Sequence, residues 1–186
     1  KYGYDSKNIF VTGNTVIDAC LRFNYKIKYE NKILITLHRR ENFGNKMKKM
    51  FYEINKLADQ YKHLEFIFPM HPNPNVQKLK QLLPKVNIIK PLSYKNMIKH
   101  ISEARFIISD SGGIQEECGA FNKKVLVCRD TTERPEGITA GFAKLINTDI
   151  IDNFGWANNN FKWKGKNPYG DGDASKKIVD IAINKT

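Results

Sequence analysis

The chain has 186 residues, of which 41% are hydrophobic, so it is long and apolar enough to bury the core of one domain. Its net charge of +12 comes from 25 lysines spread along the chain and only six arginines, without a basic stripe interleaved with aromatic residues. We therefore expect no nucleic-acid partner. No apolar run approaches the roughly 20 residues of a membrane-spanning helix, so we expect no membrane partner either.

Six apolar runs along the chain predict β-strands. They are nearly continuous rather than alternating, which is typical of parallel strands covered on both faces. The runs lie at residues 33–37, 64–68, 86–89, 106–109 and 125–128, with a sixth candidate at 143–146.

Helical patterns separate these runs. Apolar residues repeat about every 3.6 positions from 44 to 62, and a shorter pattern of this kind runs from Val76 to Leu83. Ser93 is placed to cap a further helix, and a last helix is expected from Ser175 to Ile183.

Strands that alternate with helices predict an α/β fold, a Rossmann-like doubly wound parallel sheet. Residues 153–173 are rich in Gly, Asn and aromatic residues, which predicts a connecting loop. The cysteines Cys20, Cys118 and Cys128 lie far apart in apolar surroundings, and no signal peptide is visible. The spacing of the cysteines predicts no metal site and indicates buried reduced thiols in a cytoplasmic protein. We also expect no cofactor.

The loops that follow the predicted strands carry groups suited to an anionic ligand. Because the carboxyl ends of parallel strands share one edge of the sheet, these loops should lie together. Guanidinium, imidazole and backbone N–H groups at one edge suit a phosphorylated ligand, although ion pairing with neighbouring glutamates is an alternative for the arginines. The residues concerned are His38, Arg39, Arg40, His71, Ser111, Gly112, Gly113, Arg129 and Arg134.

The stretch SDSGGIQEE, residues 109–117, places two glycines at the start of a predicted helix. Unpaired N–H groups and the absence of a β-carbon allow a phosphate to approach closely, although an ordinary turn capped by Ser111 is the alternative. Glu117 lies four residues after Gly113 and shares its helix face, so it is the candidate to accept ribose hydroxyls. Glu116 points about 100° away and is expected on the helix surface.

Seven stretches occur in an order that resembles one known family, the non-hydrolysing UDP-N-acetylglucosamine 2-epimerases. The stretches are VTGNTVIDA, TLHRREN, FPMHPNP, PLSY, SDSGGIQEE, RDTTERPEGITAG and NPYGDGDAS. The resemblance implies a glycosyltransferase-B-like fold, in which two Rossmann-like domains enclose the active site. It identifies residues 26–186 as the carboxyl-terminal, UDP-binding domain and residues 1–25 as an inter-domain segment. Residues 150–186 are then expected to pack toward the amino-terminal domain.

The activity implied by the resemblance is reversible epimerisation at carbon 2 of UDP-N-acetylglucosamine, by elimination and re-addition of UDP, for cell-surface polysaccharide precursors. A homodimer is expected for the full-length enzyme. His38 would be catalytic and assist the departure of UDP, while Arg39 and His71 match positions that bind a second, activating substrate molecule in some members. The implied substrate-binding residues are Leu92 and Met97 for uracil, Ser111, Gly112 and Gly113 for the diphosphate, Glu117 for the ribose, and Arg134 for the phosphates.

The chain departs from the family pattern at three places. Met97 stands where an aromatic residue is frequent, Cys118-Gly119 replaces a common alanine-proline pair, and Gly137 replaces alanine or valine. In the family the acid and base carboxylates belong to the amino-terminal domain, so we expect the 186-residue chain alone not to epimerise.

Four alternatives remain open. The substrate could be a related UDP-diacetamido or deoxy sugar, or the chain could belong to a glycosyltransferase with the same UDP site. It could also be part of a hydrolysing epimerase, or a UDP-sugar sensor without chemistry. The complete SDSGG stretch with its paired glutamates favours the non-hydrolysing branch.

Overall fold

The computed structural model describes residues 6–184. The first five residues of the predicted inter-domain segment and the last two of the predicted domain therefore lie outside the described residues. Six strands form one sheet in which every pairing is parallel. They are β1 (Lys32–Thr36), β2 (Glu65–Pro69), β3 (Asn87–Ile89), β4 (Phe106–Ser109), β5 (Val125–Val127) and β6 (Ala143–Leu145).

The sheet has the order β3-β2-β1-β4-β5-β6, which is the order of doubly wound nucleotide-binding folds. The predicted α/β, Rossmann-like parallel sheet is thereby confirmed, including its sixth strand. Helices cover both faces: α1 (Thr15–Leu21), α2 (Asn45–Gln60), α3 (Pro74–Gln77), α4 (Tyr94–Glu103), α5 (Gly112–Ala120), α6 (Pro135–Thr139), α7 (Ile150–Asn158) and α8 (Ala174–Asn184).

Each face of the sheet packs against its own apolar core. In β1, Ile33 and Ile35 face the core beneath α2 and α7, whereas Leu34 faces the core beneath α1, α4 and α5. Both faces are covered, which explains why this strand is apolar at successive positions. Strand β3 is the exception to the predicted burial, because it lies at the edge of the sheet with Asn87 exposed and Ile88 and Ile89 half-buried.

A local capping signal marks the start of α4. The Ser93 hydroxyl accepts a hydrogen bond from the N–H of Asn96 at 3.4 Å and caps α4 as predicted. The prediction of a loop over 153–173 is wrong for residues 153–158, because α7 continues to Asn158. Its Phe154 ring packs against Phe66 and Phe106, and the burial of this ring outweighs the low helix propensity of the neighbouring Gly and Asn residues.

Two glycines leave room for the ring of Phe142. A β-carbon on Gly119 would lie 2.6 Å from Oδ1 of Asn167 and 3.3 Å from Cζ of Phe142. A β-carbon on Gly137 would lie 3.0 Å from the same Cζ and 3.0 Å from the hydroxyl of Tyr169. Gly119 and Gly137 each stand where the family pattern has a larger residue. Both therefore lie against Phe142 and the loop of residues 167–169.

The cysteines are buried and form no disulfide, in agreement with the prediction of free thiols. Across residues 6–184 the structure contains no helix that is both long enough and apolar enough to span a bilayer.

Candidate active site

A cavity of about 210 Å³ lies at the carboxyl ends of β1, β2 and β4. Five of the predicted site residues line it: His38, His71, Leu92, Met97 and Ser111. A larger cavity of about 660 Å³ at the opposite edge is lined by Glu30, Lys32 and residues around 58–66, and its Lys32 and Glu30 already pair at 2.6 Å. Because parallel α/β sheets bind ligands at their carboxyl edge, we place the candidate site at the smaller cavity.

Asp110 anchors the loop that carries His38. Its side chain has no exposed surface and accepts the N–H of His38 at 3.0 and 3.1 Å and the N–H of Arg39 at 2.9 Å. It also accepts Nδ2–H of Asn42 at 3.0 Å, and Asn42 donates in turn to the carbonyl of Cys128 at 3.0 Å. Sequence reasoning missed Asp110 and Asn42. The available signal was a carboxylate directly after a buried strand.

The imidazole of His38 stacks on that of His71, with ring centroids 5.1 Å apart and an interplanar angle of 12°. The His38 side chain is 40% exposed, and its Nδ1 lies 3.8 Å from a carboxylate oxygen of Asp110. Burial lowers the pKa of His38; the Asp110 charge opposes this shift, and His71 and Arg39 add to it. The ligand-free protein therefore holds His38 largely neutral at pH 7, beside a carboxylate that can stabilise its protonated form.

The glycine turn is held from behind by buried hydroxyl groups. The N–H of Ser111 donates to Oγ of Ser109 at 3.0 Å, and this oxygen lies 2.6 Å from Oγ1 of Thr36. Ser111 occupies the N-cap position of α5, but its hydroxyl makes no capping hydrogen bond. Gly113 is exposed. The first turn of α5 thus presents backbone N–H groups at the edge of the cavity, where they can bind an anion.

Arg134 lies over this turn. Its Nε donates to Glu116 at 2.6 Å, and its Nη1 would be 2.6 Å from a β-carbon on Gly112. Glu116 was expected on the helix surface, and that expectation is wrong, since its side chain is only 14% exposed and pairs with Arg134. The helical angle alone could not reveal a partner that arrives from the loop after β5.

The loop that carries Arg134 is fastened to α5 at a second point. Thr132 donates its hydroxyl hydrogen to Oε1 of Gln115 at 2.9 Å, and the N–H of Arg134 donates to the Thr132 hydroxyl at 3.1 Å. Gln115 has no exposed surface. The adjacent residues Gln115 and Glu116 therefore fix both the backbone and the guanidinium of this loop.

Glu117 is buried, at 7% exposure, on the side of α5 that faces α4. Burial raises its pKa to about 7, the Glu116 charge adds to the rise, and a hydrogen bond with Tyr94 works against it. The hydroxyl of Tyr94 also lies 3.6 Å from Sγ of Cys20. Glu117 is therefore a carboxylate whose ionisation near neutral pH depends on further hydrogen-bond donors.

Arg129, the other arginine of this loop, is engaged in ion pairs. Its nearly buried guanidinium donates to Glu41 at 2.8 Å and to Glu133 at 2.7 and 3.0 Å. These hydrogen bonds raise its pKa, with Glu133 as the largest cause. The ion-pairing alternative holds for Arg129, which joins the loop after β1 to the loop after β5. In the described part of the chain, residues 6–184, no cluster of three or more His, Cys, Asp or Glu side chains is arranged to hold a metal.

Comparison with known proteins gives consistent matches. A family model described as UDP-N-acetylglucosamine 2-epimerase matches residues 1–183. A Campylobacter jejuni protein named UDP-N-acetylglucosamine 2-epimerase is 38% identical over 98% of this chain and 56% of its own length. The chain spans about half the length of the curated relatives it matches.

Solved structures with bound nucleotides are similar as well. S. aureus MnaA, solved with UDP, has a TM-score of 0.81 and 38% identity, covering 98% of this chain and 55% of that one. A Neisseria meningitidis UDP-GlcNAc 2-epimerase, solved with UDP-GlcNAc, has a TM-score of 0.81 and 36% identity, covering 97% of this chain and 57% of that one.

Proposed function

The chain belongs to the UDP-N-acetylglucosamine 2-epimerase family, and we propose that it forms the UDP-binding half of an enzyme that interconverts UDP-N-acetylglucosamine and UDP-N-acetylmannosamine. The observation that carries this proposal is the convergence at one sheet edge of an uncapped glycine turn, an arginine above it and a histidine beside it. The similar structures solved with UDP and UDP-GlcNAc support the choice of ligand.

The nucleotide extends along α5 in this proposal. The uracil contacts Leu92 and Met97, which are half-buried in the cavity wall. The diphosphate binds the backbone N–H groups of Gly112 and Gly113, with the Ser111 hydroxyl as a further donor. These groups are fixed before the ligand arrives, so little reorganisation is needed on binding.

Glu117 accepts the ribose hydroxyls. Its raised pKa gives this contact a pH dependence, because the ionised carboxylate offers both oxygens as acceptors and accepts hydrogen bonds from the hydroxyls more strongly than the protonated group does. The two new donors stabilise the ionised form and lower the pKa of Glu117 in the complex.

His38 assists the departure of UDP. The leaving diphosphate gains negative charge, which Arg134, the glycine N–H groups and a protonated His38 together stabilise. In the free protein the pKa of His38 is lowered by burial. A bound diphosphate is an added anion that raises this pKa, so the imidazolium donor is favoured when the substrate is in place. Asp110 holds the His38 backbone and supplies a neighbouring negative charge.

Proton transfer at carbon 2 requires other groups. The three carboxylates of SDSGGIQEE are each engaged: Asp110 with backbone N–H groups, Glu116 with Arg134, and Glu117 with Tyr94. We propose that the acid and base belong to an amino-terminal domain that faces this edge, with residues 150–186 packed toward it. The whole enzyme then works as a cytoplasmic homodimer on precursors of cell-surface polysaccharide, and Arg39 and His71 bind a second, activating UDP-N-acetylglucosamine.

Deuterium exchange tests the proposed activity. The full-length protein is incubated with UDP-N-acetylglucosamine in deuterated water, and the product is examined by NMR. Epimerisation by elimination places deuterium at carbon 2 and yields the manno sugar, whereas His38→Ala lowers this exchange by at least about a hundredfold. Transfer of the sugar to an acceptor without deuterium at carbon 2 would contradict the proposal and favour a glycosyltransferase. Release of free N-acetylmannosamine would favour a hydrolysing epimerase.

A further inference from the structure

The guanidinium of Arg134 is anchored chiefly through its Nε. Its Nε–H donates to the Glu116 carboxylate at 2.6 Å, which is a short, charge-assisted hydrogen bond. Its Nη1 makes a much longer contact of 3.4 Å with Glu133, whose side chain is 63% exposed. Most of the anchoring therefore comes from Glu116, through the Nε side of the fork.

The flat face of the guanidinium covers the glycine turn. Nη1, Cζ and Nη2 lie 2.6, 2.8 and 3.3 Å from the position that a β-carbon on Gly112 would take. An arginine held by Nε presents both Nη groups in one plane, which matches the geometry of a phosphate. The Nη groups thus border the place where the amides of α5 would bind a diphosphate.

From these contacts we infer that Glu116 is a positioning residue: it holds the Nε side of Arg134 so that the guanidinium lies over the Gly112-Gly113 turn with its Nη groups beside a diphosphate bound there. The inference rests on the proposed function, because it concerns the same UDP site. It assigns distinct tasks to the two glutamates, with Glu117 on the ribose and Glu116 behind the arginine. The Gln115–Thr132 hydrogen bond fixes the backbone of the same loop and supports this geometry.

The opposite role for Glu116 makes a different prediction. If its carboxylate merely occupied Arg134 until a ligand arrived, its removal would free the guanidinium and strengthen phosphate binding. Removing one negative charge near the diphosphate would act in the same direction. Positioning instead predicts that loss of the acceptor weakens binding, while an uncharged acceptor of the same shape preserves it.

Calorimetric titration of the 186-residue chain with UDP and with uridine separates these roles. Glu116→Ala should bind UDP about tenfold more weakly, because a hydrogen bond to a charged group no longer orients the arginine. Glu116→Gln should stay within about threefold of wild type, since its amide oxygen still accepts Nε–H. At pH 8, above the pKa of about 7 of Glu117, both variants should bind uridine as wild type does. Asp59→Asn, at an exposed carboxylate on the opposite edge of the sheet, is the control and should leave both affinities unchanged.

A double variant checks that the effect passes through the arginine. In an Arg134→Ala background, Glu116→Ala should cause no further loss of UDP affinity. Tighter or unchanged UDP binding by Glu116→Ala overturns the inference alone, as does an equal loss for UDP and uridine, which would indicate a general structural role. Failure of the wild-type chain to bind UDP would instead overturn the proposed UDP site and the inference with it.

Discussion

The two edges of the sheet each bury a charged side chain, and they satisfy it in different ways. At the amino edge, Lys123 has no exposed surface and donates to the carbonyls of Lys28 and of Ala104, the latter at 2.8 Å. Its Nζ also lies 3.8 Å from the ring centroid of Tyr29. At the carboxyl edge, Glu117 has the hydroxyl of Tyr94 as a partner and a second carboxylate, Glu116, as a neighbour.

Burial shifts both groups toward neutrality, to a pKa of about 7 for Lys123 and about 7 for Glu117. The two side chains differ in how many of their hydrogen-bonding partners the protein itself supplies. Lys123 already has two carbonyl acceptors and an aromatic ring, so its role is structural. Glu117 lies beside like charge and gains most from donors that a ligand brings. A buried ionisable group therefore indicates a binding site when the protein itself supplies too few hydrogen-bonding partners for it.

The largest effect is expected at the amino edge. Lys123→Ala should lower the free energy of unfolding by about 4 kcal/mol, because the buried carbonyl of Ala104 and the part-buried carbonyl of Lys28 lose their donor and a void remains. Urea denaturation measures this change. Lys162→Ala, an exposed lysine whose Nζ lies 5.7 Å from the Tyr29 ring, is the control and should cost less than about 0.5 kcal/mol. The UDP affinity of the folded Lys123→Ala protein should be unchanged. A loss of affinity would contradict the conclusion that Lys123 has only a structural role.

Asp110 should show an intermediate effect, since it is satisfied inside the protein and also lies at the site. Asp110→Asn should cost about 3 kcal/mol in urea denaturation, because the amide cannot accept all the N–H groups that the carboxylate does. It should also lower the pKa of His38 further, since the Asp110 charge raises that pKa. An NMR titration of the His38 ring measures the shift. Asp130→Asn, at an exposed carboxylate paired with Lys46, is the control and should leave the pKa of His38 unchanged.

Glu117→Gln should have the smallest effect on stability and a clear effect on binding. The folded-state pKa of Glu117 is raised above its ordinary value of 4.5, so its stabilisation is present at low pH and lost as pH rises through about 7. Relative to wild type, Glu117→Gln should therefore gain about 2 kcal/mol between pH 5 and pH 8. Urea denaturation at both pH values measures this gain.

Uridine serves for the binding measurement on Glu117→Gln, because the terminal phosphate of UDP titrates at about pH 6 itself. Wild-type affinity should rise with pH through about 7 as Glu117 ionises. Glu117→Gln should bind about tenfold more weakly at pH 8 and show no such rise. Glu136→Gln, at an exposed glutamate, should behave as wild type. A pH-dependent affinity that persists in Glu117→Gln would contradict the assignment of Glu117 to the ribose.

The sequence predicted the sheet because each strand is an apolar run and alternation with helices permits few arrangements. Helix α6 went unpredicted because it is only five residues long and begins with Pro135. The clamp by Asp110 could not be predicted either, since it depends on β4 lying next to β1, although the chain separates them by more than 60 residues. Helical geometry pointed to Glu117, which is buried, but it could not supply the partner of Glu116.

The crowding around Phe142 also has an evolutionary consequence. Gly119, Gly137 and the loop from Asn167 to Tyr169 meet at this ring, and a β-carbon on either glycine would approach it within 3.0 to 3.3 Å. A lineage that exchanges Gly119 for alanine must also displace Asn167, whose Oδ1 holds the N–H of Tyr169 at 3.1 Å. A side chain larger than glycine at either position therefore requires an adjustment of the residues that surround Phe142.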